Sequence, residues 1–202
     1  MIRFLTLLFA GIILSGCAHK GTVSSVRATN VYSNYSEKIS GIASFSVDGT
    51  SLTKLRKEDS VQGYVCAAHH YPVDGAEAFN ASINATLEQI FDDVSRREQA
   101  SSDEVSLLFR VERFEPRMRF HQKFWGVDAE ATVELGISVV GYRDGQRVFG
   151  TSVDSQRTRS GDGGAFCEGG GEVVADATRE VIKDVLEKVG ERIANAPKLR
   201  GN

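Results

Sequence analysis

Three cysteines and four histidines supply the reactive side chains of this 202-residue chain. A thiol can be acylated or oxidised to a disulfide, and both thiolate and imidazole bind metals. Cys17 follows an apolar run near the N-terminus after two small residues, Ser15 and Gly16, whereas Cys66 and Cys167 lie far along the rest of the chain. These different surroundings predict different chemistries for the three thiols.

The N-terminal run has the layout of a secretory signal peptide. Arg3 supplies a positive charge, and residues 4–14 (FLTLLFAGIIL) form an apolar stretch within the roughly 7–15 residues of a signal core. A permanent membrane span needs roughly 20 apolar residues. The run is therefore too short for a transmembrane helix.

Residues 14–17 (LSGC) resemble the lipobox of bacterial lipoproteins, Leu-[Ser/Ala]-[Gly/Ala]-Cys. The resemblance implies that the Cys17 thiol receives a diacylglyceryl group, that cleavage follows Gly16, and that the new amino group is acylated. Two or more acyl chains form a stable anchor in the lipid bilayer. In enterobacterial lipoproteins an aspartate after the cysteine favours the inner membrane, and here that residue is Ala18. We therefore predict a signal peptide at residues 1–16 and outer-membrane attachment through Cys17, facing the periplasm.

One segment, residues 113–126 (RFEPRMRFHQKFWG), interleaves basic and aromatic residues in a chain of net charge −3. Such side chains are enriched at binding hot spots and also suit an anionic lipid or glycan surface. We predict contact with such a surface or with an envelope protein through Arg117, Arg119, Lys123, Phe124 and Trp125. The alternative is a hairpin whose aromatic side chains cover the core and whose arginines are solvated. Nucleic acid is not expected, because it fits neither the compartment nor the acidic balance of the chain.

A glycine-rich segment, residues 161–172 (GDGGAFCEGGGE), precedes a predicted helix, as a phosphate-binding loop would. A P-loop also needs a lysine and a hydroxyl at its end, and here Asp162, Glu168 and Glu172 place negative charge where phosphate would lie. The sequence contains neither a G-x-S-x-G elbow nor an H-E-x-x-H helix. We predict no catalytic residues, no cofactor and no enzyme activity.

Hydrophobic periodicity predicts the elements that hold these residues. Residues recurring every three or four positions predict amphipathic helices over about 74–94 and about 172–195. A slip in the alternation near Arg113 predicts a β-bulge, and Asp144-Gly145 predicts a tight hairpin turn. Alternating apolar residues predict strands over 39–47, 61–68, 105–120, 129–139 and 146–157, with a short return strand over 52–55.

This order, ββ-α-βββ-α, favours an α+β fold. Elements that are apolar on one side predict a two-layer sandwich, in which about four to six mainly antiparallel strands carry both long helices on one face. A right-handed crossover would make the strands before and after the first helix parallel. Two hairpin reversals would then bring both strand-to-helix loops to the same end of the sheet.

That topology predicts a disulfide between Cys66 and Cys167, because each lies where a strand leads into a helix. Export to the periplasm permits oxidation, and acylation of the N-terminal cysteine leaves an even number of thiols. The alternative is a metal site in which both cysteines join His69, His70 and His121. Adjacent histidines at a strand end point to opposite faces, and the spacing of zinc motifs is absent. We therefore predict no metal ligands.

The predicted mature chain divides into three parts. Residues 17–36 are rich in Ser, Thr, Asn and Val without periodicity, and predict a lipidated tether with a reach of roughly 60 Å. The alternative is that residues 29–35 pack as an edge strand. Residues 37–197 form a single globular domain, and residues 198–202 a C-terminal tail.

A lipidated cysteine, a tether and a small α+β domain over residues 39–195 resemble the architecture of periplasmic accessory lipoproteins. Examples are the lipopolysaccharide-assembly lipoprotein and the auxiliary lipoproteins of lipid transporters. No family motif outside the lipobox carries functional residues over. The resemblance implies a non-catalytic, membrane-anchored envelope lipoprotein that is an accessory, assembly or binding module for a protein or lipid partner. The alternative is a lipoprotein that binds a small ligand or a metal.

Overall fold

The computed structural model describes residues 17–28, 30–96 and 104–201, and the predicted signal peptide at 1–16 lies outside these ranges. The fold is α+β, as predicted. Its helices are α1 (Gly49–Lys54), α2 (Ala76–Ile90) and α3 (Gly170–Ala194), followed by a 3-10 turn at Pro197–Arg200. Its strands are β1 (Ile39–Val47), β2 (Arg56–Gln62), β3 (Tyr71–Asp74), β4 (Phe91–Arg96), β5 (Val105–Gln122), β6 (Val127–Arg143) and β7 (Gln146–Gly164).

The long strand β5 organises a seven-stranded sheet. Along one edge β5 pairs antiparallel with β6, which pairs antiparallel with β7. Along its other edge the first half of β5 pairs in parallel with β1, and the second half in parallel with β2. β4 extends β1 in parallel, and β3 extends β2 antiparallel. The sheet is therefore mixed, with three antiparallel and three parallel strand pairs, and it has one strand more than the four to six predicted.

A bulge in β5 keeps its apolar side chains on one face. The pairing with β6 shifts by one residue between Val111 and Arg113, which confirms the predicted bulge. Odd-numbered residues such as Leu107 are buried before the bulge, and even-numbered residues such as Met118 are buried after it. Because one extra residue inverts the facing of every later side chain, the buried face of β5 is continuous across the bulge.

α2 is shorter than predicted, because the chain after Ile90 pairs with β1 and forms β4. The open edge of β1 offers backbone partners that override the helical spacing of the apolar residues. The predicted return strand is instead α1, which Asp48 caps by accepting a hydrogen bond from the Thr50 N–H at 2.9 Å. α3 packs on β6, β7 and α2. The stacking of both long helices as one layer on one face stays a prediction.

The direction of β3 changes the predicted topology. A turn and then β3 follow β2, where a single strand over 61–68 was predicted, and β3 leads into α2. β3 runs against β2, while β1, β2, β4 and β5 run in one direction. The strands before and after α2 are therefore antiparallel. Since β7 runs in the direction of β5, the loops that lead into α2 and α3 lie at opposite ends of the sheet, contrary to the prediction.

We call the end of the sheet where β2, β5 and β7 finish the tip. It comprises the three connections at 63–70, 123–126 and 165–169. Residues 17–19 belong to it as well, because they pair with the connection between β2 and β3. Both disulfide-forming cysteines lie in the tip, while α2 begins at the opposite end.

The N-terminal segment that we predicted to be a free tether lies against the domain in its described part. The Val26 N–H donates to Ser82 Oγ on α2 at 2.9 Å. At the end of α3 the Asn195 side-chain amide donates to the Tyr32 carbonyl at 3.0 Å. Leu199, in the predicted C-terminal tail, is fully buried. Both chain ends therefore pack on the domain, because their scattered apolar side chains cover it.

Candidate functional site

The Cys66–Cys167 disulfide closes the tip. It joins the β2–β3 connection to the β7–α3 loop across 101 residues of sequence, with 5.9 Å between the Cα atoms. The predicted pairing is confirmed, but for another reason: Cys66 follows β2 and does not lead into α2. Since the two thiols are joined to each other, neither can act as a thiolate ligand in the metal site considered above.

Cys17 lies at the outer edge of the tip. Ala18 forms a parallel bridge with His70, and the His70 N–H donates to the Cys17 carbonyl at 3.1 Å. The His19 N–H in turn donates to the His70 carbonyl at 2.8 Å. Because β3 runs away from the tip, a segment parallel to its start also runs away from the tip. Cys17 is therefore the outermost point of this described segment, and its free thiol is exposed.

His19 fixes the position of this backbone. Its Nε2 atom lies 2.8 Å from Nδ1 of His69, and its ring stacks on His69 and Tyr71 with centroid distances of 5.0 and 5.7 Å. Tyr71 is fully buried, and its hydroxyl donates to the Cys167 carbonyl at 2.9 Å. Burial and the charge of Glu168 raise the pKa of Tyr71 above its ordinary value. The hydroxyl therefore stays protonated and joins the N-terminal segment to the disulfide loop.

Two glycines let the N-terminal segment touch the start of α3. A Cβ atom on Gly21 would lie 1.8 Å from the Gly171 carbonyl oxygen. A Cβ atom on Gly171 would lie 2.5 Å from the His19 carbonyl oxygen. Neither position has room for a side chain. Gly171 belongs to the glycine-rich segment that was considered above as a phosphate-binding loop. Its role here is to let the backbone of the N-terminal segment approach closely.

The tip also holds the four most exposed large apolar side chains among the described residues. Tyr64 is 100% exposed, Phe124 92%, Trp125 85% and Phe166 77%. Tyr64 follows β2, Phe124 and Trp125 form the hairpin between β5 and β6, and Phe166 directly precedes Cys167. Exposed apolar side chains gathered at one end of the protein make the tip a candidate interaction surface.

Backbone pairing places the aromatic loops side by side. Val127, at the start of β6, pairs with Gly164 at the end of β7. This pairing sets the hairpin of Phe124 and Trp125 next to the loop of Phe166. Phe124 and Trp125 meet edge to face, with their ring centroids 5.2 Å apart.

Charges of both signs accompany the aromatic side chains. Lys123 forms an ion pair with Asp128. The Glu168 carboxylate accepts a hydrogen bond from the Phe166 N–H at 2.9 Å. The backbone N–H groups of Glu168 and Phe166 lower the pKa of Glu168 below its ordinary value. The tip is therefore not a purely basic surface.

Arg117 and Arg119 lie outside the tip, on what we call the polar face: the side of β5 and β6 that carries Arg113, Arg117, Arg119 and Glu134. Arg113 and Arg117 both contact the Glu134 carboxylate, Arg113 at 3.6 Å. Arg119 donates to the Gln62 side-chain oxygen at 3.3 Å. Arg117, Arg119, Glu134 and Gln62 line a groove of about 300 Å³, and Arg113 lies outside it. Each of the three arginines thus has a partner within the chain.

The residues of the basic-aromatic segment therefore lie in three different places: the core, the tip and the polar face. Phe114 and Phe120 are buried, as the core-covering alternative requires. Phe124 and Trp125 are exposed, as a contact surface requires. Of the residues predicted to bind a partner, Lys123, Phe124 and Trp125 share the tip, and the arginines do not. Their role in binding stays a prediction.

Sequence reasoning missed Tyr64 and Phe166 as candidate residues. A single aromatic residue in a turn has no period to interpret, and both were read as parts of other features. Their positions held a usable signal, because Tyr64 lies two residues before Cys66 and Phe166 directly precedes Cys167. The disulfide ties these two loops together at the end of the sheet, and neither side chain reaches the core from there.

No family model and no curated protein matches this chain. Among solved structures it is similar to a Xanthomonas campestris protein of the DUF330 family, with a TM-score of 0.47 and 14% identity over 91% of this chain and 97% of that chain. It is also similar to a minor lipoprotein from Acinetobacter baumannii, with a TM-score of 0.43 and 12% identity over 76% of this chain and 90% of that chain. These likenesses are distant, and no function is carried over from them. None of the helices in the described residues has the length and apolar character of a membrane span.

Proposed function

We propose that this protein is a non-catalytic envelope lipoprotein, anchored through acylated Cys17 and facing the periplasm, that serves as a binding module for another envelope component. The position of Cys17 carries the proposal. Its thiol is exposed at the outer edge of the tip, whereas Cys66 and Cys167 are joined to each other. Acylation of Cys17 therefore requires no opening of the domain.

Two further features support the proposed compartment. Disulfides persist in oxidising compartments such as the bacterial periplasm, and the tip is closed by one. The apolar run at residues 4–14 and the lipobox-like residues 14–17 supply the export and acylation signals. Ala18, in place of an aspartate, favours the outer membrane over the inner membrane.

Replacement of Cys17 tests the anchor. In Cys17→Ser the acyl acceptor is lost, so we expect a precursor that retains residues 1–16 and incorporates no labelled palmitate. The matched control is Ala18→Ser, which alters the neighbouring residue and keeps the thiol. The control should be processed and labelled like the unaltered protein. A Cys17→Ser protein of mature size in the membrane fraction would overturn the proposal.

Membrane fractionation tests the location separately. We expect the acylated protein in the outer membrane, and Ala18→Asp should move it towards the inner membrane. If the acylated protein with Ala18 is found mainly in the inner membrane, the outer-membrane part of the proposal is wrong while the anchor stands.

A further inference from the structure

We infer that the tip rests in the headgroup region of the bilayer that holds Cys17, with Tyr64, Phe124, Trp125 and Phe166 inserted among the phospholipids. This inference rests on the proposed lipid anchor and deepens it. The anchor alone attaches the chain at one point, whereas insertion of the tip gives the domain a fixed face and a fixed orientation on the membrane.

The first argument is that the anchor leaves no spacer. The Cys17 carbonyl accepts a hydrogen bond from the His70 N–H, and the His19 ring stacks on His69 and Tyr71. The residue that would carry the acyl chains is thus itself part of the tip. One residue spans about 3.5 Å, which is less than the roughly 5–7 Å of headgroup region on each side of a bilayer. A tip held this way lies within the headgroups, and no protein partner fits between it and the lipid.

The second argument is the chemistry of the exposed side chains. Tyr and Trp combine an apolar ring with a polar group, and they are enriched where water meets lipid. Phe124 and Phe166 add fully apolar rings. All four side chains are between 77% and 100% exposed, so their insertion requires no rearrangement of the core.

The third argument concerns the kind of lipid. Attraction to anionic lipid needs an excess of unpaired Lys and Arg near the membrane surface. At the tip Lys123 is paired with Asp128. The exposed Lys20, which directly follows residues 17–19, lines the same cleft as Glu168, whose negative charge backbone N–H groups stabilise. The charges near the anchor therefore balance. Insertion of aromatic rings therefore dominates over charge. We expect the contact to form on zwitterionic phospholipid as well as on anionic phospholipid.

Trp125 makes the inference testable, because it is the only tryptophan of the chain and its fluorescence reports the tip alone. The acylated mature protein is reconstituted in phosphatidylcholine vesicles with and without brominated acyl chains. We expect Trp125 emission at short wavelength, weak quenching by acrylamide and strong quenching by the brominated lipid. Addition of phosphatidylglycerol should leave all three readings unchanged.

A triple variant removes the neighbouring rings and keeps the reporter. In the acylated protein with Tyr64→Ser, Phe124→Ser and Phe166→Ser, quenching of Trp125 by acrylamide should rise severalfold and its emission should move to longer wavelength. Because these side chains are exposed, melting curves should match that of the unaltered protein.

Tyr32 supplies the matched control. It is 63% exposed, and its carbonyl is bonded to Asn195 at the far end of α3. α3 begins at the tip and has 25 residues, which corresponds to about 37 Å of helix. Tyr32→Ser should therefore leave the fluorescence of Trp125 unchanged.

The possible failures are distinguishable. A chain that carries no acyl group and does not bind vesicles refutes the anchor. An acylated, vesicle-bound chain whose Trp125 is quenched by acrylamide and not by brominated lipid overturns the inference and leaves the anchor intact. A Trp125 that is shielded in native outer membranes but not in lipid vesicles shows that a protein covers the tip, and this result also overturns the inference.

Discussion

The tip and the polar face both contain residues of the basic-aromatic segment 113–126, but the side chains of the two regions differ in their partners. On the polar face, Arg113 and Arg117 share the Glu134 carboxylate. At the tip, Phe124 and Trp125 contact each other and are otherwise exposed. The pairing of β5 with β6 sets the arginines beside acidic neighbours across the strands. Where the hairpin turns, that pairing ends, and the rings of Phe124 and Trp125 project into solvent.

This difference shows why composition alone exaggerates a binding surface. Arginine is enriched at hot spots, but an arginine already paired within its own chain must exchange one partner for another. An exposed aromatic ring in water gives up no such partner when it is buried. The tip is therefore the better candidate for a contact surface, and the polar face is the better candidate for a structural role.

Removal of the disulfide should have the largest effect on stability. The double variant Cys66→Ser, Cys167→Ser loses a cross-link across 101 residues. In the chain-entropy model this loss corresponds to about 4–5 kcal/mol of unfolding free energy. Urea unfolding measures it, and reduction of the unaltered protein should give a similar loss. A loss below about 1 kcal/mol would show that the hydrogen bonds of the tip hold it closed without the cross-link.

A pair of phenylalanines gives the next largest contrast. Phe120 is 5% exposed and Phe124 is 92% exposed, although they are four residues apart. Phe120→Ala should lower the unfolding free energy by about 3–5 kcal/mol, because it leaves a cavity in the core. Phe124→Ala should change it by less than about 0.5 kcal/mol. Equal losses for the two variants in urea would contradict the division of this segment between core and tip.

The sequence predicted this division only in part. The bulge near Arg113 could be predicted because it shifts the clear alternation of apolar and polar residues along β5. The same alternation places Phe114 and Phe120 on the buried face and the arginines on the other face. The hydrogen-bond and ion-pair partners of those arginines could not be predicted from the sequence. Glu134 and Gln62 are distant in sequence, and only the register of β2, β5 and β6 brings them close.

The disulfide shows a correct prediction reached through a wrong topology. We expected both strand-to-helix loops at one end, yet β3 reverses the chain before α2 begins. Cys66 nevertheless lies at the tip, because β2 ends there. The four-residue strand β3 has too few residues for a readable period. The packing of the N-terminal segment was likewise missed, because it depends on backbone contacts such as that between Gly21 and Gly171.

A smaller effect is expected on the polar face. The Arg117 side chain is 41% exposed and that of Glu134 is 18% exposed. Solvent screening should therefore limit their coupling to about 0.5–1 kcal/mol. A double-mutant cycle with Arg117→Met and Glu134→Gln measures it in urea. The matched cycle at the tip uses Lys123→Met and Asp128→Asn, whose parent side chains are 56% and 37% exposed, and should give a smaller value. A larger coupling energy for Lys123 and Asp128 than for Arg117 and Glu134 would contradict the view that the polar face is the more strongly paired region.

The smallest effect concerns acid stability, which paired carboxylates should control. Asp184 on α3 accepts hydrogen bonds from Ser155 and Arg157 and pairs with Lys188 at 3.0 Å. Burial alone would raise the pKa of Asp184, but the bonds from Ser155, Lys188 and Arg157 outweigh it and hold the pKa below the ordinary 3.8. A carboxylate with a lowered folded-state pKa stabilises the protein above its unfolded-state pKa, and this stability is lost as the pH falls through the folded-state value.

Asp184→Asn should therefore lower the melting temperature slightly at neutral pH and flatten its fall below about pH 4. Melting curves recorded from about pH 6 to about pH 2 measure the change. Asp92→Asn, at an exposed position in β4, is the matched control and should keep the slope of the unaltered protein. If Asp184→Asn also keeps that slope, Asp184 does not contribute to the acid dependence. The other two carboxylates whose pKa is held below its ordinary value, Asp48 at the start of α1 and Glu168 at the tip, would then be the next to replace.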